Sequence, residues 1–171
     1  ALRNAKRPLI LAGGGVRYSG ASAALTDFAE SAGIPVAATQ AGKSVMPEVH
    51  PNYVGSLGVT GSSAANDLAQ RADVVLSVGS RLQDFTTGSN GLIKGQVLSL
   101  NVQPHDAIKH DAITVVGDAL VGLETLGHAL RGHHTSDAYQ QEYAKLKREW
   151  DAAVDAVTVK LEGNTLPSDS A

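Results

Sequence analysis

Five short runs of this chain are apolar at almost every position, and helical stretches are interleaved among them. The runs are Pro8–Ala12 (PLILA), Ile34–Thr39 (IPVAAT), Val74–Val78 (VVLSV), Val97–Val102 (VLSLNV) and Ile113–Val116 (ITVV). A strand with one wet face alternates apolar and polar residues. A strand without that alternation is covered on both faces, as in a parallel sheet between two layers of helices. Ala21, Leu25, Phe28 and Ala32 recur at helical spacing, and Gly33 stops that helix. Ala64, Ala65, Leu68, Ala69 and Ala72 mark a second helix, with Ser62 or Ser63 as N-cap, and Asp118 can cap a third over Ala119–Leu130. Crossovers in such sheets are right-handed. The pattern therefore predicts an α/β fold: a Rossmann-like, doubly wound parallel sheet of five or six strands. Residues 40–60, rich in Gly, Pro and Ser, read as a long irregular connection.

The tail follows a different period. Tyr139, Tyr143, Leu146, Trp150, Val154, Val157 and Leu161 are spaced by threes and fours, which is one apolar stripe on a C-terminal amphipathic helix of about six or seven turns. Its other face carries Lys145, Lys147, Arg148, Glu149, Asp151 and Asp155. The expected division is a sheet domain over residues 1–131, the helix over 132–162, and an extended linker over 163–171 (GNTLPSDSA). The stripe must pack on the domain's own surface or on a partner.

The 171 residues, 43% hydrophobic and 18% charged, suffice for one ordinary domain with a core. A net charge of −3 without a basic block gives no reason to expect nucleic acid or an anionic membrane as partner. The chain has no cysteine, so it has no disulfide, thiolate zinc site or cysteine nucleophile, which fits a reducing cytoplasm. No apolar run approaches the roughly 20 residues of a membrane span. The chain starts at Ala1 without a signal-peptide pattern, and we expect it to be an internal piece of a longer protein.

Three places could carry chemistry. Gly13, Gly14 and Gly15, with Gly20 beyond, follow the first strand and open a helix, where backbone amides can approach a phosphate. GGGVRYSG is not GxGxxG, however, and a tight turn explains it equally well. After the Val74–Val78 strand, Arg81, Asp84, Thr86 and Thr87 lie where ligands bind in open parallel sheets. Arg81 could grip a phosphate in two-point fashion, or it could simply pair with Asp84. The next strand ends Asn101-Val102-Gln103, with no carboxylate to hold ribose hydroxyls as NAD or FAD would need. The six histidines (His50, His105, His110, His128, His133 and His134) show no metal spacing and read as surface or loop residues, and no serine sits in a GxSxG elbow.

Taken together, KRPLILAGGGVRYSGA, GIPVAATQAGKSVMPEVHPNYVGSLGVTG, ADVVLSVGSRLQDFTTG and NVQPHDAIKHDAITVVGDA resemble, in order, the central domain of thiamine-diphosphate enzymes of the acetolactate synthase and pyruvate oxidase group. The resemblance covers about residues 6–130, and LPSDSA resembles the linker into that group's pyrophosphate-binding domain. AGGGVRYSGA and SRLQDFTTGS resemble in particular a branch that hydrolyses a ring C–C bond in myo-inositol breakdown. The resemblance implies a homo-oligomeric parent whose thiamine diphosphate and Mg²⁺ are held by N-terminal and C-terminal domains on either side of this one. It therefore brings no catalytic residue and no metal ligand onto this chain. It does bring the nucleotide position of relatives that hold FAD or ADP in this domain, matched here by Gly13, Gly14, Gly15, Arg81, Asp84, Asn101, Val102, Gly117 and Asp118. The readings left open are a scaffold with an empty or vestigial nucleotide site, a working FAD or ADP module, and a free-standing NAD enzyme of sirtuin-like type. The missing cysteines count against the last.

Overall fold

The computed structural model describes residues 1–158. Six strands form one all-parallel sheet: β1 (Pro8–Ala12), β2 (Val36–Ala38), β3 (Tyr53–Ser56), β4 (Val74–Val78), β5 (Gln96–Asn101) and β6 (Ile113–Val116), in the order β3-β2-β1-β4-β5-β6. The order reverses direction between β1 and β4, which makes that pair the topological switch point. The doubly wound architecture agrees with the apolar runs. β1 and β4 are buried at all five positions each, as strands covered on both faces must be.

Helices α1 (Gly14–Tyr18), α2 (Ser22–Ala32) and α6 (Ala119–Ala129) cover one face. There Ile10, Val36, Leu76 and Leu100 pack against Leu25, Phe28 and Leu123. Helices α3 (Ser63–Arg71) and α7 (Asp137–Thr158) cover the other, over Leu9, Leu11, Val75 and Val97. Two short turns of helix, α4 (Asp84–Thr87) and α5 (Pro104–Ala107), sit in the loops after β4 and β5. The expected caps are in place. Ser62 Oγ accepts from Ala65 N at 3.0 Å, and Asp118 Oδ1 accepts from Leu120 N at 2.9 Å and Val121 N at 3.3 Å. Gly33 ends α2 in the left-handed region at φ 62°.

Two expectations are corrected. Residues 40–60 are not wholly irregular, because β3 lies inside them. Its apolar content is only Tyr53 and Val54 before Gly55-Ser56, too short to register as a run, and the partner strand β2 supplies what the sequence pattern lacks through a shifted parallel register. The glycine turn opens a helix as expected, the five-residue α1 that precedes α2. β2 is also shorter than the apolar run containing it, although Ile34 is fully buried just before it.

The tail helix packs on the domain itself. Tyr139 and Tyr143 are buried with their rings edge to face, centroids 5.7 Å apart, and Tyr139 OH donates to Pro8 O at 2.9 Å. The Arg7 guanidinium lies 5.7 Å above the Tyr139 ring and pairs with Glu142, which also meets Arg71 at 3.5 Å. Asn52 Nδ2 lies within hydrogen-bonding distance of Ala29 O, Ile34 O and Tyr143 OH, tying α2, the entry to β2, and α7 together. Burial fades along the stripe: Leu146 and Trp150 are half-buried, and Val157 is 55% exposed. Leu161 and the expected linker at 163–171 lie outside the described residues. Among the described residues no helix is long and apolar enough to cross a membrane.

Two outcomes follow from this packing. Trp150 should emit to the blue of a water-exposed indole, and Trp150→Ala should cost about 2–3 kcal/mol by chemical denaturation, below the roughly 3–5 kcal/mol of a fully buried ring. Burial holds the Tyr53, Tyr139 and Tyr143 hydroxyls above the ordinary tyrosine pKa of 10.0. The folded chain thus keeps protons that the unfolded chain releases, so stability should be level below about pH 9 and fall as pH rises through 10 and beyond. Tyr139→Phe should flatten part of that alkaline fall, measured by denaturant titration at stepped pH.

Candidate functional site

The candidate residues do converge at the carboxyl ends of β1, β4, β5 and β6. What they do there is mostly structural. The glycine turn is pressed against the loop after β4. A Cβ on Gly13 would meet Gly79 O at 2.3 Å, and one on Gly15 would meet Gly79 Cα at 2.7 Å. Gly79 itself has φ +59°, and a Cβ there would lie 2.6 Å from Gly15 Cα. Gly42 locks the other side, where a Cβ would meet Ala12 O at 2.1 Å. These contacts use the amides that a phosphate would want: Gly13 N donates to Val78 O at 2.8 Å, Gly15 N to Gly79 O at 3.0 Å, and Val16 N to Gly13 O at 3.2 Å. Gly14 stands against Ala41, 3.3 Å from where its Cβ would be.

The other matched positions are similarly engaged. Asn101 is buried; its Nδ2 donates to Ser80 O at 2.8 Å and its Oδ1 accepts from Gln103 N at 3.0 Å. It is a strut between strand ends. Gly117 N donates to Asn101 O at 3.1 Å, and Asp118 is spent on the α6 cap. Val102 is 67% exposed. Arg81 and Asp84 are both exposed and form no ion pair with each other, so the expected alternative of an Arg81–Asp84 clasp is not what holds this loop. Lys109 and His110 do so instead. Lys109 Nζ donates to Arg81 O at 3.1 Å and pairs with Asp106 at 2.6 Å, while His110 Nε2 reaches Leu82 O at 3.2 Å. Leu82, His110 and Asp111 all adopt positive φ (47°, 58° and 50°). Such backbone costs about 1–2 kcal/mol per non-glycine residue, and the ties across the loop hold it in place.

Gly79, Gly42, Ser80 and Lys109 were not singled out by the sequence, and His110 was read only as a surface or loop residue. Gly79 stood inside the SVGSRL stretch, but only the packing reveals that its lack of a side chain admits α1. Nothing in a lone Lys-His pair signals a bond to a carbonyl 28 residues away.

Among the described residues no group of three or more His, Cys, Asp or Glu is placed to hold a metal ion.

The chain belongs to the thiamine pyrophosphate enzyme central domain family, whose pattern matches residues 1–126. It is 41% identical over 167 residues to the 3D-(3,5/4)-trihydroxycyclohexane-1,2-dione hydrolase of Clostridium perfringens (strain ATCC 13124), covering 95% of this chain and 26% of that protein. The hydrolases of that name from Geobacillus thermodenitrificans (strain NG80-2) and Clostridium tetani (strain Massachusetts / E88) are 46% identical over 151 residues and 42% over 153. Each alignment covers 88% of this chain, and 23% and 24% of the respective relative. The chain thus spans about a quarter of the length of these curated relatives.

Asn101→Asp tests the strut. The change keeps the shape but removes the donor to Ser80 O and buries a charge. It should cost roughly 1–3 kcal/mol and should confer no thermal stabilisation by ADP.

Proposed function

We propose that this chain is the non-catalytic middle domain of a thiamine-diphosphate-dependent hydrolase that opens 3D-(3,5/4)-trihydroxycyclohexane-1,2-dione to 5-deoxyglucuronate in myo-inositol breakdown. The observation that carries the reading is the 41–46% identity, over 88–95% of the chain, to relatives named for that reaction. In the parent, thiamine diphosphate with Mg²⁺ supplies the carbanion chemistry, and both are held by domains flanking this one. The parent works in the cytoplasm as a homo-oligomer. This chain's own part is to join and space the cofactor-bearing domains.

The nucleotide position at Gly13, Gly14, Gly15, Arg81, Asp84, Asn101, Val102, Gly117 and Asp118 is vestigial in this reading. What supports that is the prior use of its donors: two of the glycine amides, the Asn101 amide and the Asp118 carboxylate already have partners within the fold. Arg81 and Asp84 are exposed to solvent. An FAD- or ADP-binding domain would need those donors turned outward.

The test is direct. Calorimetry of the 171-residue chain with thiamine diphosphate and Mg²⁺ should show no binding heat, and FAD or ADP should leave its melting temperature unchanged. The longer protein carrying this domain should bind the cofactor and convert the dione. A micromolar dissociation constant for the chain alone, about −8 kcal/mol, would overturn its place as a middle domain. A longer protein that binds the cofactor yet leaves the dione intact would overturn the substrate and not the domain.

A further inference from the structure

β6 is the most exposed strand of the sheet. It is last in the strand order, so its outer backbone edge has no partner strand among the described residues. Ile113, Val115 and Val116 are 52%, 57% and 53% exposed, and the strand carries no charge, proline or bulge of the kind that shields an open edge. Between β6 and α6 runs a groove of about 690 Å³, walled by Leu98, Ile113, Val115, Val121 and Leu126 with Leu2 at one end. Val121 is 61% exposed. The two charged residues at its margin are already engaged, Arg3 with Ala129 O and Asp118 with the α6 amides. An apolar surface of this size with so few charged groups marks an interface.

The shape selects the occupant. A second copy related by a two-fold axis would bring groove to groove, and two concave faces cannot fill each other. Pairing β6 edge to edge would still leave Leu98, Val121 and Leu126 in water. The groove needs a convex apolar insert. The family is by description a central domain, and relatives continue for about three-quarters of their length beyond the matched part. Ala1 lines the groove, so a polypeptide continuing from it would be tethered beside it, at an effective concentration in the millimolar range. We infer that the groove between β6 and α6 seats an apolar segment of a flanking domain of the same longer polypeptide.

Because the chain has no cysteine, a single thiol can report on the groove. Val121→Cys is placed in the 171-residue chain and in the longer protein, and its labelling by a water-soluble maleimide is followed by peptide mass. Labelling should be fast in the 171-residue chain at every concentration. In the longer protein it should be at least tenfold slower, and no faster on dilution. Equal rates in the two proteins would overturn the inference. So would protection that grows with concentration in either protein, which would make the occupant a second copy. Slow labelling of the 171-residue chain at all concentrations would overturn it as well, since the groove would then be closed or filled without the flanking domain.

Discussion

Backbone packed on backbone at the switch point fixes the rest of this domain. Gly13, Gly15, Gly42 and Gly79 bring three segments from different parts of the chain within contact of one another, at separations that leave no room for a methyl group. Strand order, the entry of α1 and the position of the loop after β4 all depend on this closeness. In dinucleotide folds the same residue type, at the same end of the same strand, keeps a space open for a pyrophosphate. Here the space is used by the protein itself, and the amides that would face a ligand face carbonyls. Glycine at a switch point therefore signals close approach, and what approaches has to be read from the structure.

The second organising element is the tail helix. Arg7, just ahead of β1, meets both Tyr139 and Glu142, so the first strand and the last described helix are joined directly. Asn52 adds a tie through Tyr143 to the far side of the sheet. The pairing is partly shielded from water, and exposed ion pairs alone contribute little. The two buried tyrosine rings supply most of what holds α7 down.

Much of this was legible in the amino-acid sequence, and the residues show why. PLILA and VVLSV are apolar on both faces because both faces are covered, as parallel sheets in α/β folds require. Ser62 and Asp118 announced their helices through cap chemistry that is local to a few residues. β3 was hidden because its stability comes from pairing with β2 and not from its own four residues. At the site, the sequence identified the right end of the sheet and the missing carboxylate at Asn101. It could not show that the Asn101 amide points inward to Ser80, or that Lys109 and His110 hold the loop, since those bonds join positions 21 and 28 residues apart. The covered faces predicted for every apolar run held for β1 and β4 and failed for β6, which is mostly exposed.

The loop over residues 80–82 is fastened at three successive carbonyls, by Asn101, Lys109 and His110. A loop pinned so closely has little freedom to fold over a visiting molecule. Whatever rests on this rim meets a surface of set shape: it incurs no cost for ordering the loop, and it gains nothing from a closing movement. Anything that docked there would have to match that shape, because the pinned loop cannot adjust to it.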